Sequence, residues 1–188
     1  MTFEFQHAAH PIDTLPSHLR QRSTLILLVL GLLAVFLHAT FRFPLQLPGH
    51  HGLEWMALLV MARHVSTYRW AATIAACGAA VTAASLPALG FHSPLAPLFY
   101  LLPGLCLDLL FLARPTTWRT STWLIGTLAG LAFASKVLVQ WIGFAAFDFP
   151  FGAVARHGLF HVLALHFAFG FAGGAIGNVL LLLKKPHP

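Results

Sequence analysis

A chain of 188 residues that is 58% hydrophobic and 9% charged, with a mean hydropathy of +0.78, lacks the roughly 25% of charged residues with which a soluble domain wets its surface. The same figures exclude intrinsic disorder of the whole chain. Its 11 Lys and Arg are scattered between apolar runs, so no basic stripe for nucleic acid forms.

In chain order, residues 1–23 read as a polar leader, expected to be disordered and cytoplasmic. It carries His7, His10 and His18, whose spacing in a flexible segment makes a weak chelate. A helix rises about 1.5 Å per residue, so roughly 20 apolar residues cross the hydrocarbon core. On that ruler six runs follow: Thr24–Phe41, Gly52–Ala62, Tyr68–Leu89, Pro94–Ala113, Arg119–Phe147 and His157–Leu183. The second is short and the fourth carries internal prolines. Pro, Gly and charge build the breaks between them, as in PLQLPGHHG and FDFPFG. Arg20 and Arg22 precede the first run as they would in a signal peptide, but no small-x-small cleavage site closes it, and it reads as a retained helix. Residues 184–188 form a short tail. Cys77 and Cys106 each lie inside an apolar run and supply neither a disulfide framework nor a metal knuckle.

Basic residues stay on the cytoplasmic side of a membrane. With the N-terminus inside, Arg20, Arg22, Arg63, Arg69, Arg114, Arg119, Lys184 and Lys185 are cytoplasmic, whereas the outer loops hold only Arg42 and Arg156. The predicted fold is therefore an all-α, polytopic protein of the inner membrane, with six transmembrane helices (24–183) and both termini in the cytoplasm.

That topology gives each polar residue a depth. Of the 12 histidines, His38, His50, His51, His92, His157, His161 and His166 fall at or above the midplane on the outer side. Only His64 joins the leader and His187 on the inner side. Ionisable groups in a bilayer are expensive and normally face a cavity or a partner. Lys136, near the middle of the fifth run, shares a helix face with Gln140 by i,i+4 spacing and is followed by Trp141; His157 and His161 share a face in the same way. With His38, His50, His51 and Glu54 they predict an outward-facing pocket. Asp108, toward the cytoplasmic end of the fourth run, has an open role.

Small residues repeat every four positions in the third run (Ala72, Ala76, Ala80, Ala84) and the sixth (Gly170 and Gly174; Gly173 and Gly177). Such faces let helices approach closely in lipid.

No HExxH, GxSxG or Walker A motif is present, so metalloproteolysis, serine hydrolysis and intrinsic ATP use are not indicated. HGLFH at 157–161 is one HxxxH pair, without the further histidine boxes of membrane di-iron enzymes. His38 with His157 or His161 suits haem ligation in principle.

Six runs with both ends inside, a short second helix, the Pro/Gly-rich outer loop FRFPLQLPGHHG, an alanine-rich third helix, a fourth reading FYLLPGLCLDLLF and a Gly-rich last helix resemble the substrate-binding S component of an energy-coupling factor (ECF) transporter. The resemblance spans residues 24–183 as architecture. It implies a pocket roofed by the first outer loop, no enzymatic activity or ATPase of its own, and as partners a transmembrane coupling subunit and two cytoplasmic ATPase subunits. Two features depart from the family: the first helix offers Gly31, Ala34 and Ala39 instead of an AxxxA face, and the N-terminal signature of the nickel and cobalt importers is missing.

Substrate then follows from chemistry. Neutral imidazoles at His50, His51, His157 and His161 suit a transition metal. Lys136 repels a cation and welcomes a carboxylate or phosphate. The expectation is a small vitamin-like or anionic solute held by Lys136, Gln140, Trp141, His157, His161, His38, His50, His51 and Glu54, with no cofactor. The alternatives are a histidine-ligated metal or haem enzyme, or a structural membrane protein.

Overall fold

A computed structural model describes residues 17–40, 47–86, 95–113, 121–147 and 152–183. His7, His10, Arg42, His92, Arg114, Arg119, Lys184, Lys185 and His187 lie outside the described residues, as does the side chain of His18.

The described residues form seven helices and no strand. They are α1 (Ser17–Thr40), α2 (Gly52–Val65), α3 (Ala71–Ser85), α4 (Ala96–Ala113), α5 (Thr122–Phe147), α6 (Gly152–His157) and α7 (Leu159–Leu183). Four helical stretches are long and apolar enough to cross a membrane: Arg20–Thr40, Ala96–Ala113, Thr122–Ala146 and Leu159–Leu183. The chain is thus an integral, multi-pass membrane protein by length and composition of its helices.

The burial pattern explains why such apolar helices hold together. On α1, Leu27, Gly31, Ala34 and Val35 are buried, at helical spacing, while Leu25, Ile26, Val29, Leu32 and Phe36 on the other side are exposed. Large apolar residues also stand exposed on α5 and α7, including Leu131, Leu138, Ile142, Val179 and Leu180. A surface of that kind belongs in lipid, where association rests on close packing and not on hiding oil from water.

Small residues provide that packing. α1 lies on α3, α3 on α4, α4 on α5, α5 on α7, and α7 on α2, which also touches α1, α3 and α5. A Cβ added at Gly31 would collide with the backbone carbonyl of Ala75, and one at Gly78 with that of Leu28. The two Gly pairs of α7 serve different neighbours. Gly170 and Gly174 meet Phe133 and Ala129 of α5, whereas Gly173 and Gly177 meet Gly52, Leu53 and Ala57 of α2.

Asp108 finds its role here. It is fully buried on α4 and reaches the first turn of α3, where its carboxylate accepts bonds from the Thr73 N–H and hydroxyl, both at 2.7 Å, and from the Ala72 N–H at 3.4 Å. The Nε of Arg63, from the last turn of α2, stands 3.3 Å away. One carboxylate therefore caps the orphan amides of one helix and joins it to two others. Nearby, Tyr68 donates its hydroxyl to the Arg20 carbonyl at 2.7 Å, and Arg63 donates to the Tyr68 carbonyl at 3.0 Å. Arg20, Arg63, Tyr68 and Asp108 thus share one end of the bundle.

Three expectations need correction. α1 starts at Ser17, so residues 17–23 of the leader are helical; Gln21, Arg20 and Arg22 are good helix formers, and a helix continues past the edge of an apolar run at little cost. The run from 157 to 183 is not one helix. Gly158, at φ +78°, lets the chain leave α6 in the left-handed region and restart as α7 at Leu159. α3 spans Ala71–Ser85, shorter than the run Tyr68–Leu89: its first residues after Trp70 are fixed by the Asp108 cap, and Leu86 has left the helical conformation ahead of Pro87.

Candidate functional site

The opposite end of the bundle gathers polar side chains from five helices around His51. The turn that delivers it depends on Gly49, whose φ is +83° and whose missing Cβ would stand 2.8 Å from the His166 Nδ1. Only glycine lets the chain pass so close beneath α7. The turn closes with the Gly52 N–H donating to the Gly49 carbonyl at 2.8 Å, and α2 begins at once.

His51 then sits between α1, α4, α5 and α7. Its Nε2 is 2.6 Å from the Lys136 Nζ of α5. An ammonium has only donors, so the imidazole accepts through Nε2 and carries its proton on Nδ1. Burial first, and then the positive charge of Lys136, holds the His51 pKa well below its ordinary value of 6.5, so the ring is neutral. Around it stand the rings of His38 (centroids 4.8 Å apart), Phe133 (5.3 Å), His50 (5.7 Å) and His166 (6.3 Å).

Each neighbour is itself fixed. Lys136 is only 5% exposed and its Nζ lies 4.0 Å from the centroid of Phe133, one helical turn earlier on α5. His166, buried on α7, stacks on Phe133 at 5.2 Å and donates Nδ1–H to the Val162 carbonyl at 2.8 Å. His50 donates in the same way to the Leu47 carbonyl at 2.8 Å. The His38 Nδ1 is 3.8 Å from a Glu54 carboxylate oxygen, both side chains half-buried. Among the described residues no carboxylate lies within ion-pair distance of Lys136.

A cavity of about 200 Å³ opens beside this cluster, lined by His38, His51, Trp55, Ala96, Phe99, Tyr100, Lys136 and Gln140. Trp55 packs edge-on against Tyr100 with centroids 5.5 Å apart. Its indole Nε1 is buried and has no hydrogen-bond partner among the described residues. The cavity therefore offers a cation and the Gln140 amide within aromatic walls, a combination that receives an anionic or acceptor-bearing small molecule.

Of the residues singled out in the sequence, His38, His51, Lys136 and Gln140 line the cavity. Glu54 and His50 adjoin it through His38 and His51. Trp141 does not line it and is 42% exposed. His157 and His161 stand apart on the exposed surface, one at the end of α6 and one in the first turn of α7, with their rings 5.7 Å from each other. They do not share a helix, and they do not join His50 and His51 in one ligand set. Among the described residues no three His, Cys, Asp or Glu side chains converge as metal donors.

Trp55, Phe99, Tyr100, Phe133 and His166 complete the site and were not among the candidates. Spacing carried a signal for two of them: Trp55 is i+4 from His51, and Phe133 is i−3 from Lys136, so each shares a helix face with a polar residue already singled out. Tyr100 and Phe99 are brought in by α4, whose rotation is set by the Asp108 cap at its far end.

No family model, curated protein or solved structure matches the chain.

Proposed function

We propose that the protein is a membrane-embedded capture subunit that binds a small vitamin-like or anionic solute in an outward-facing cavity, in the manner of an ECF S component. In this reading the chain crosses the inner membrane six times with both termini in the cytoplasm. The helices α2 and α3, about 21 and 22 Å long at 1.5 Å per residue, are shorter than the roughly 30 Å hydrocarbon core and cross it where the bilayer thins around them.

The observation that carries the reading is the Lys136–His51 pair beside an aromatic cavity. A polar centre inside an apolar helix bundle is costly, and the usual return on that cost is a ligand or transport pathway. The distribution of charge supports the orientation: Arg20, Arg63 and Asp108 gather at one end, which the positive-inside rule makes cytoplasmic, and the cavity lies at the other. Energy for import then comes from elsewhere, because the sequence has no nucleotide-binding motif; a transmembrane coupling subunit and two ATPase subunits are the expected partners.

Affinity isolation of the tagged chain from its native membrane tests this. Recovery of a coupling subunit with two ATPases is the expected result. Repeated recovery of the chain alone contradicts it, and a visible haem spectrum in the purified protein would move the assignment to a redox enzyme.

A further inference from the structure

We infer that the ligand is a monocarboxylate carried on a single flat ring, with Lys136 as its counter-ion; this rests on the capture reading above and specifies its substrate class. Lys136 is the first observation. Its ammonium is buried, yet its close contacts are an imidazole nitrogen at 2.6 Å and the face of Phe133, and no carboxylate among the described residues neutralises it. Buried charges are otherwise paired. A ligand carboxylate in the adjoining cavity supplies the missing anion.

Gln140 is the second observation. It lines the cavity one helical turn beyond Lys136, and its amide donates, so the second oxygen of a carboxylate has a partner beside the ammonium.

Size and wall chemistry set the remainder. A dry cavity of roughly 150 Å³ takes a benzene-sized ring, and this one measures about 200 Å³. One ring with a small substituent fits within that volume. Trp55, Phe99 and Tyr100 provide apolar walls for it. A second carboxylate on the ligand has no cation of its own among the described residues, where Lys136 is the sole Lys or Arg lining the cavity and His38 already faces Glu54. A bare metal is disfavoured by the same geometry: the Nε2 lone pair of His51, the most central imidazole, is taken by the Lys136 ammonium.

Calorimetric titration of the full-length protein in lipid nanodiscs with benzoate, with its neutral isostere benzamide, and with Ni²⁺ and Zn²⁺ tests the class directly. Benzoate is expected to bind at least tenfold more tightly than benzamide, by the usual advantage of a charge-assisted contact. Lys136→Met should erase that preference. The wild-type ratio needs no variant to fold, so it decides the matter even if Lys136→Met does not. Equal affinities for benzoate and benzamide, or no binding of benzoate, overturn the carboxylate assignment. Saturable Ni²⁺ or Zn²⁺ binding lost in His51→Ala, without benzoate binding, overturns it in favour of a metal and leaves the capture reading standing. That reading falls by the isolation experiment, whatever the titrations give.

Discussion

His51 is the residue through which the site is assembled, and its protonation state is the property most easily perturbed. Burial and Lys136 keep it neutral in the folded protein, below its ordinary pKa of 6.5. The unfolded chain regains the ordinary value, so below pH 6.5 the unfolded state binds a proton that the folded state refuses. Folding stability therefore falls as pH drops through this window, by up to about 1.4 kcal/mol per pH unit from this one group. Thermal unfolding in detergent, followed from about pH 7 to about pH 5, should show a decline that is shallower in His51→Gln. Parallel profiles for the two proteins would show that His51 is not held neutral. The sequence marked His51 and Lys136 separately, as polar residues at a suitable depth. It did not reveal that they touch, because the contact depends on a turn that needs Gly49 at positive φ beneath His166.

At the scale of elements, the helices and their order were legible from apolar runs and their breaks, while their ends and rotations were not. His157 reads as the first residue of the last run until Gly158 is seen in the left-handed region, and that break leaves it at the end of α6, apart from His161 on α7. Rotation is a matter of packing, which small residues permit without specifying. Thus the glycines of α7 were visible as two spaced pairs, but nothing in their spacing assigned one pair to α5 and the other to α2. Asp108 supplies what spacing lacks, a directional bond between elements. Asp108→Ala removes the cap of α3 and the carboxylate facing Arg63 in one step. A loss on the order of 3 kcal/mol is expected, read as a lowered unfolding temperature in detergent. Because α4 also carries Phe99 and Tyr100, benzoate affinity should fall in the same variant although Asp108 lies at the far end of the bundle. An unchanged unfolding temperature would remove the capping role.

At the scale of the whole molecule, the chain has two chemically distinct ends separated by an apolar belt. One holds Arg20, Arg63, Tyr68 and Asp108 in a network of hydrogen bonds and an ion pair; the other holds the cavity. Composition alone announced a membrane protein with an excess of histidine. The structure divides that excess, leaving His157 and His161 on the surface and gathering His38, His50 and His166 around His51, which meets Lys136. The central claim is that the cavity opens away from the cytoplasm. With Cys77 and Cys106 replaced by serine, Gln140→Cys places a single thiol in the cavity wall. A membrane-impermeant maleimide applied to intact cells is predicted to label it, with benzoate slowing the reaction. Labelling found only in inverted vesicles would contradict the claim.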